Sequence, residues 1–275
     1  MSGRTILITG CSSGIGEDAA RGLRARGWRV FAACRKAEDC ARLTAEGFES
    51  PRIDYQDTTS IAEGLGEVLE ATRGRLDALF NNGAFACPGA VEDLPTDALR
   101  DIFEANFFGW HELARRVIPV MRARQTGRIV QNSSVLGLVA ARFRGAYVST
   151  KFALEGLSDT LRVEMRGTGI HVILIEPGPV TSKIRENAIP HFERWIDWQN
   201  SPRRDQYARL RHRLYEDRGP DPFELPPAAV TRKLVRALEA RRPRARYYVT
   251  TPTYIMGTLR RVLPTRGIDW LLARS

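Results

Sequence analysis

A tyrosine and a lysine four residues apart, Tyr147 and Lys151, follow a serine, Ser134, that lies thirteen residues before the tyrosine. The four-residue spacing places Tyr147 and Lys151 on one face of a helix. A phenol has an ordinary pKa of about 10, and a fixed ammonium group nearby lowers that pKa toward neutrality. A serine hydroxyl can hold a substrate oxygen beside the tyrosine. The three residues predict proton transfer to or from a carbonyl or alcohol oxygen.

A glycine-rich turn near the N-terminus supplies a second chemical signal. The stretch from Thr9 to Gly16 reads Thr-Gly-Cys-Ser-Ser-Gly-Ile-Gly, between an apolar run and a helical pattern. Its glycines permit a tight turn and a close approach to a pyrophosphate, which the N-terminus of the following helix attracts. A Tyr-x-x-x-Lys pattern alone is common by chance, but the two signals together are informative. The predicted nucleotide contacts in this turn are Gly10, Ser12, Ser13, Gly14, Ile15 and Gly16.

The end of the second apolar run indicates which nicotinamide nucleotide binds. Arg35 stands where NAD enzymes usually carry an acidic residue for the ribose 2′-hydroxyl, and no acidic residue follows before Glu38. A cation at this position suits a 2′-phosphate, whereas a carboxylate would repel it. The sequence therefore predicts NADP(H) in preference to NAD(H).

Apolar runs that alternate with helical patterns predict the fold that positions these groups. The strand candidates are Ile6–Thr9, Arg29–Cys34, Arg52–Asp54, Ala78–Asn81, Ile129–Ser134, Val172–Glu176 and Tyr247–Val249. The helix candidates are residues 15–26, 60–73, 96–123 (capped by Thr96), 147–166 and 228–240. This alternation is typical of right-handed crossovers and a parallel sheet with ligands at the carboxyl ends of its strands. We predict an α/β fold with a doubly wound parallel sheet of Rossmann type, forming a single domain over residues 1–275.

Two segments depart from this alternation and are rich in large apolar side chains. Residues 182–227 are interpreted as a helical insertion or lid over the active site, and residues 253–275 as a C-terminal extension. The large side chains predicted to line a lipophilic substrate pocket are Phe192, Trp195, Trp198, Tyr207, Tyr254, Ile255 and Met256. The alternative is that the insertion is an irregular surface segment whose aromatic residues only anchor it to the sheet.

Charge and cysteine content exclude several function classes. Residues 203–266 contain sixteen arginines and lysines and six acidic residues, and their net charge of +10 equals that of the whole chain. Only four of the 42 basic residues are lysines, which indicates a general arginine bias, and no DNA-reading motif predicts a nucleic-acid partner. The four cysteines and four histidines lack metal-ligand spacing, so we expect unpaired thiols and no metal. No apolar run approaches the ~20 residues of a membrane span, and we expect a cytoplasmic protein.

Together these motifs resemble the short-chain dehydrogenase/reductase family over nearly the whole chain. The resemblance implies that Asn106 joins Ser134, Tyr147 and Lys151 as a catalytic residue, and that Asp54 contacts the adenine. The other cofactor contacts that it implies are Asn82, Gly83, Tyr147, Lys151, Pro177, Gly178, Val180 and Thr181. Two motifs differ from the family pattern. The Asn-Asn-Ala-Gly turn reads Asn-Asn-Gly-Ala at residues 81–84, and Thr181 follows Val180 directly.

Within the family, the chain is most similar to the NADP-dependent branch that holds 17β-hydroxysteroid and retinol dehydrogenases, and to bacterial aldehyde reductases. This resemblance implies hydride transfer between nicotinamide and the carbonyl or alcohol of an aldehyde, a ketone, or a retinoid- or steroid-like molecule. It assigns acid-base catalysis to Tyr147, with Lys151 lowering the pKa of the tyrosine and binding the ribose. Ser134 would orient the substrate and Asn106 would support a water relay.

The expected assembly and the alternative functions complete the sequence-based picture. Self-association through helices 96–123 and 147–166 would give a homodimer or homotetramer. One alternative function is an NADP(H)-binding regulator with little turnover. The other is a membrane-surface protein, since the segment Tyr254–Arg274 mixes apolar residues with arginines.

Overall fold

A six-stranded, fully parallel sheet forms the centre of the computed structural model, which describes residues 3–216 and 219–273. Its strands are β1 (Thr5–Thr9), β2 (Arg29–Ala33), β3 (Ala78–Asn81), β4 (Gly127–Asn132), β5 (Ile170–Glu176) and β6 (Arg246–Tyr248). They lie in the order β2-β1-β3-β4-β5-β6. The order reverses between β1 and β3, as in doubly wound sheets that bind nucleotides at this point. The predicted fold class is confirmed.

Helices connect the strands and cover both faces of the sheet. They are α1 (Gly14–Arg24), α2 (Ala37–Ala45), α3 (Thr58–Thr72), α4 (Thr96–Phe103), α5 (Gly109–Ala123), α6 (Gly145–Glu164), α7 (Ile184–Trp195), α8 (Arg204–Tyr215), α9 (Ala228–Glu239), α10 (Thr251–Val262) and α11 (Thr265–Leu272). Alternate residues of β1 show the two faces. Ile6 and Ile8 pack with α1 and α9, whereas Leu7 packs on the opposite face with α3, α5 and α6. All five residues of β1 are buried, because helices cover the strand on both sides.

The helix predicted over residues 96–123 is interrupted by one π-helical turn. The chain runs from α4 through the π-turn Glu104–Phe108 directly into α5. The predicted cap is wrong by one residue, because Pro95 occupies the N-cap position and Thr96 is already helical. A π-turn adds a residue to the helix and shifts its faces, and such turns often occur at functional sites.

The strand predicted at Arg52–Asp54 is not part of the sheet. This segment makes an isolated bridge in which Arg52 pairs with Cys34, and the Ile53 N–H donates to the Cys34 carbonyl at 2.9 Å. Pro51 has no N–H to donate to a ladder, so the pairing stays short. Asp54 therefore follows a loop that runs along the edge of β2.

The segment from 182 to 227 contains α7 and α8, apart from residues 217 and 218, which lie outside the described residues. Buried apolar residues of these helices form a third core with residues that follow β3 and with α4. The C-terminal extension forms α10 and α11, which Pro264 separates, and its last two residues also lie outside the described part. No helix within residues 3–216 and 219–273 is long and apolar enough to cross a membrane.

All four cysteines are buried and free, as the sequence predicts. Cys11 lies in the glycine-rich turn, Cys34 follows β2, and Cys40 belongs to α2. Cys87 lies in the third core, where its Sγ is 3.8 Å from the carbonyl oxygen of His191 in α7.

Candidate active site

A cleft of about 1610 Å³ opens at the carboxyl ends of the strands. The turn between β1 and α1 forms one side of it. Gly10 has a φ of +67°, and a Cβ at this residue would lie 2.6 Å from the Cα of Gly83. A Cβ at Gly16 would lie 2.2 Å from the carbonyl oxygen of Gly10. Only glycine allows these two backbone approaches, so the turn leaves a cradle beside the N-terminus of α1, where N–H groups attract a phosphate.

Most of the predicted cofactor residues line this one cleft. From the turn these are Gly10, Ser12, Ser13, Gly14 and Ile15, and from later loops they are Asn82, Gly83, Pro177, Gly178, Val180 and Thr181. Gly16 instead packs behind the turn. The Thr181 hydroxyl donates to Oε1 of Glu224 at 2.7 Å. The convergence of these predicted cofactor residues on one cleft fits a dinucleotide that passes the ends of β1, β3 and β5.

Arg35 and Asp54 lie outside this lining. Arg35 is exposed directly after β2, and its carbonyl oxygen accepts from Nε of Arg52 at 3.1 Å. Asp54 is half-buried, and its Oδ1 accepts from the N–H of Gln56 at 3.1 Å. Both residues border the part of the sheet where a Rossmann fold holds the adenosine end of its ligand.

Ser134, Tyr147 and Lys151 meet at the centre of the cleft. Tyr147 lies in the first turn of α6 and Lys151 one turn later. Ser134 follows β4, accepts from the N–H of Leu136 at 3.1 Å, and lowers the pKa of the Tyr147 phenol through its hydroxyl. The three residues whose sequence spacing predicted a common site therefore line the same cleft.

Lys151 is almost completely buried, with 1% of its surface exposed. Its Nζ donates to the Asn132 carbonyl at 2.9 Å, and it lies 4.2 Å from the ring centroid of Trp110 and 5.4 Å from that of Tyr147. Burial lowers the pKa of Lys151 to about 7, and Glu155 one turn later opposes this shift. These contacts fix the position of the ammonium group, but burial makes its charged form energetically unfavourable.

The charge of Arg144 also acts on Tyr147. Burial raises the pKa of Tyr147 to about 12, while the hydrogen bond from Ser134 and the charge of Arg144 lower it. The sequence analysis assigned the lowering to Lys151, which stays a prediction, and it missed Arg144. Its position three residues before Tyr147 was the available signal, since residues three apart share a helix face.

Asn106 lies in the π-turn, fully buried. Its Oδ1 accepts from the N–H of Phe85 at 3.1 Å, and its Nδ2 donates to the Phe85 carbonyl at 2.8 Å. This pair of hydrogen bonds ties the helix to the segment after β3, which forms one wall of the cleft. The side chain therefore has a positioning role, and its part in a water relay stays a prediction.

Buried polar side chains support the floor of the cleft. The Tyr55 hydroxyl lies 2.6 Å from Oγ1 of Thr9 and donates to Oδ1 of Asn81 at 2.6 Å. Nδ2 of Asn132 donates to Oδ1 of Asn82 at 2.8 Å. These bonds link the ends of β1, β3 and β4, so Asn132, which the sequence analysis missed, holds Lys151 and the turn after β3 together.

The aromatic residues expected to line the substrate pocket pack elsewhere in the described structure. Phe192 and Tyr207 are buried in the third core, where the Tyr207 hydroxyl donates to Oδ2 of Asp93 at 2.7 Å. Trp195 and Trp198 pack against the same core, and Tyr254 is exposed. The prediction of a pocket lined by these side chains is wrong: the four aromatic residues of the third core anchor the segment of α7 and α8, and Tyr254, Ile255 and Met256 lie on α10 outside the cleft lining. The neighbouring Ile184, Arg185, Leu210 and Arg213 line the cleft.

A buried ionic cluster lies beside α6. Arg246 of β6 donates from Nη2 to Oε2 of Glu155 at 2.7 Å, and from Nε to Oε1 of Glu176 at 3.0 Å. Nη2 also donates to Oδ2 of Asp159 at 2.9 Å. Burial raises the pKa of Glu176, and the adjacent Glu155 raises it further. The cluster joins α6, β5 and β6 behind Lys151.

Comparison with known proteins agrees with this geometry. The model of the short chain dehydrogenase family matches residues 4–191. The chain is a short-chain dehydrogenase/reductase. It is 37% identical over 269 residues to the uncharacterized oxidoreductase YbbO of Escherichia coli, covering 98% of this chain and 94% of that protein. Human 17-beta-hydroxysteroid dehydrogenase type 1 is 31% identical over 265 residues, which cover 91% of this chain and 78% of that one.

A solved structure extends the family assignment to the whole fold. A short-chain dehydrogenase from Streptomyces avermitilis superposes with a TM-score of 0.80 at 28% identity, covering 100% of this chain and 97% of that one. This short-chain dehydrogenase/reductase is therefore an oxidoreductase with a nicotinamide cofactor, and its cleft lies where the sheet order predicts a dinucleotide.

Proposed function

We propose that the protein is an NADP(H)-dependent oxidoreductase that interconverts a carbonyl and an alcohol on a lipophilic molecule. The observation that carries this proposal is the meeting of Ser134, Tyr147 and Lys151 in one cleft with the glycine-rich turn. A regulator with little turnover would not need this trio of side chains.

Each side chain has a chemical task in the proposed reaction. When bound, a nicotinamide cofactor supplies or accepts the hydride. Tyr147 donates its phenolic proton to the substrate oxygen during reduction and takes it back during oxidation. Ser134 lines the cleft with Tyr147 and can hold the same substrate oxygen. Lys151 lies one helical turn beyond Tyr147, where it can bind ribose hydroxyls.

The preference for NADP(H) is proposed from Arg35. This exposed cation directly follows β2, close to the expected position of the ribose 2′-oxygen. The guanidinium group is a planar donor that suits a phosphate. No acidic residue adjoins Arg35 in sequence to repel a 2′-phosphate.

Replacement of Arg35 by alanine should weaken NADP(H) binding about ten- to a hundredfold, because a hydrogen bond to a charged group contributes roughly 1.5–3 kcal/mol. Binding of NAD(H) should change little. Fluorescence titration of both cofactors measures the effect, with Lys36→Ala as the neighbouring control. Equal loss of NADP(H) and NAD(H) affinity in Arg35→Ala would remove this residue from cofactor discrimination.

A lipophilic substrate is supported by the apolar part of the cleft wall. Leu136, Phe143, Ile184 and Leu210 face the cleft from three different segments. We further propose that α7 and α8 form a lid over this wall. The hydroxysteroid in the name of the human relative is also an apolar molecule.

A panel of linear aldehydes with NADPH tests this proposal. Each buried methylene adds about 0.8 kcal/mol, so kcat/KM should rise as the chain lengthens from about four to ten carbons. Loss of absorbance at 340 nm reports turnover. A flat profile would reject the apolar pocket, whereas lack of turnover with every carbonyl and alcohol would reject the redox function.

Self-association is proposed through the surface of α6 and the π-turn. Phe108, Phe152 and Val163 expose 48%, 36% and 62% of their surfaces there. Large exposed apolar residues that cluster on adjacent helices are typical of interfaces.

We expect a homodimer or homotetramer, with a mass of at least twice the 30.9 kDa of the chain. Light scattering at micromolar concentration measures this mass. Phe108→Glu should shift it toward the monomer, because the rings of Phe103 and Phe107 beside this position offer no partner to a charge buried by association. A parent mass of about 31 kDa would rule out a stable oligomer.

A further inference from the structure

The cleft is rich in positive charge. Beyond Lys151, its lining contains six basic side chains and two acidic ones. The basic residues are Arg142, Arg144, Lys183, Arg185, Arg209 and Arg213. The two acidic residues are Asp221 and Glu224. This imbalance goes beyond the apolar pocket proposed above.

The two acidic residues are already engaged with other groups. Asp221 accepts from Arg185 and lies 3.7 Å from Nη2 of Arg213. Glu224 accepts from Thr181 through Oε1 at 2.7 Å and from the backbone of Asp221 through Oε2 at 2.8 Å. One carboxylate thus faces two arginines, and positive charge remains uncompensated within the described residues.

Arg144 is the member of these six whose charge acts on Tyr147. It immediately precedes α6, is half-buried, and lines the cleft three residues before Tyr147. Its charge reaches the phenol of Tyr147, whose pKa it lowers. Within residues 3–216 and 219–273, its guanidinium group has no side-chain hydrogen bond or ion pair, and Asp221, which acts on it at longer range, already faces Arg185 and Arg213.

The backbone holds Arg144 in place. Arg144 pairs with Gly89 in a β-bridge, and the Gly89 N–H donates to the Phe143 carbonyl at 3.0 Å. A half-buried guanidinium without an anion pays a desolvation cost that a bound anion offsets. The backbone is therefore fixed at the cleft wall, and the planar donors of the side chain match a carboxylate or phosphate bidentately.

We propose that Arg144, assisted by Arg185 and Arg213, binds an anionic group of the substrate, so that the substrate is a carbonyl compound with an acidic group on an apolar chain. This proposal rests on the redox function proposed above and refines its substrate class. In the reaction, the aldehyde carbon takes a hydride from NADPH, which is oxidised to NADP⁺, and its oxygen takes a proton from Tyr147.

The test compares ω-oxo carboxylic acids of four to ten carbons with their methyl esters. Both members of a pair share the reacting aldehyde, so the ratio of their kcat/KM values cancels any effect of Arg144 on Tyr147. For the best chain length, the parent should prefer the acid about ten- to a hundredfold, because a charge-assisted hydrogen bond contributes roughly 1.5–3 kcal/mol. Added NaCl should reduce this preference.

Arg144→Met should bring the ratio to within about threefold of unity, mainly through a higher KM for the acid. Arg144→Lys keeps the positive charge but lacks the planar, bidentate donors of arginine, so it should retain part of the preference for the acid. Arg166→Met, an exposed arginine outside the cleft lining, is the matched control and should leave the ratio unchanged.

Three outcomes separate the two proposals. Turnover of esters and acids at equal, salt-independent rates by the parent would overturn the anion site and leave the redox function standing. A preference that persists in Arg144→Met would also overturn it. Lack of turnover of acid and ester alike with either cofactor would overturn both proposals.

Discussion

Replacement of Tyr147 by phenylalanine should lower kcat by at least about 10²-fold while cofactor affinity stays within a few-fold of the parent. The ring remains in the first turn of α6, so packing is preserved and only the proton-transferring oxygen is lost. General acid-base catalysis contributes 10²–10⁴-fold, which sets this magnitude. Steady-state rates with the best carbonyl substrate and NADPH titration together measure both effects.

Tyr254→Phe is the matched control, because Tyr254 is exposed on α10 and lies outside the cleft lining. Its turnover should equal that of the parent. If Tyr147→Phe kept turnover within a few-fold of the parent, Tyr147 would have no acid-base role and the proton would have to come from another group.

Arg246→Met should lower the free energy of unfolding by about 3–5 kcal/mol, the usual effect of removing one partner of a buried ion pair. Glu176 is fully buried and Glu155 nearly so, with 0% and 9% of their side chains exposed. Without Arg246 these two carboxyl groups lose their cation. Urea unfolding followed by circular dichroism measures the change.

Two further variants sharpen this experiment. Arg244→Met removes an exposed arginine from the same segment and should change stability by less than about 0.5 kcal/mol. Adding Glu155→Gln and Glu176→Gln to Arg246→Met should recover stability, because the uncompensated negative charge is removed. A loss below about 1 kcal/mol in Arg246→Met would show that the cluster carries little charge that needs pairing.

The grouping of Ser134, Tyr147 and Lys151 and the order of strands and helices were predictable because both depend on local spacing. Tyr147 and Lys151 are one helical turn apart, and strand–turn–helix periodicity identified the glycine-rich turn. In contrast, the single bridge at Arg52 depends on Pro51 and on the edge of β2. The π-turn depends on how α4 and α5 pack, which their continuous helical pattern does not reveal.

The substrate side of the cleft shows a different kind of failure. The sequence correctly marks Phe192 and Tyr207 as residues with a large apolar surface to bury, but it does not show against what they are buried. The structure buries both against the third core and turns arginines toward the cleft. Side chains from α6, α7 and α8 meet only after folding, so no spacing within one segment predicted the basic wall.

The four buried thiols can be used to measure local opening of the structure. Burial raises the pKa of Cys11, of Cys34 to about 12 and of Cys87 to about 11, so few thiolates exist at neutral pH. A maleimide can therefore react only through transient exposure, and its rate measures the free energy of that opening. Cys11 reports on the glycine-rich turn and Cys87 on the contact with α7, so mass spectrometry can time the two motions separately in one sample.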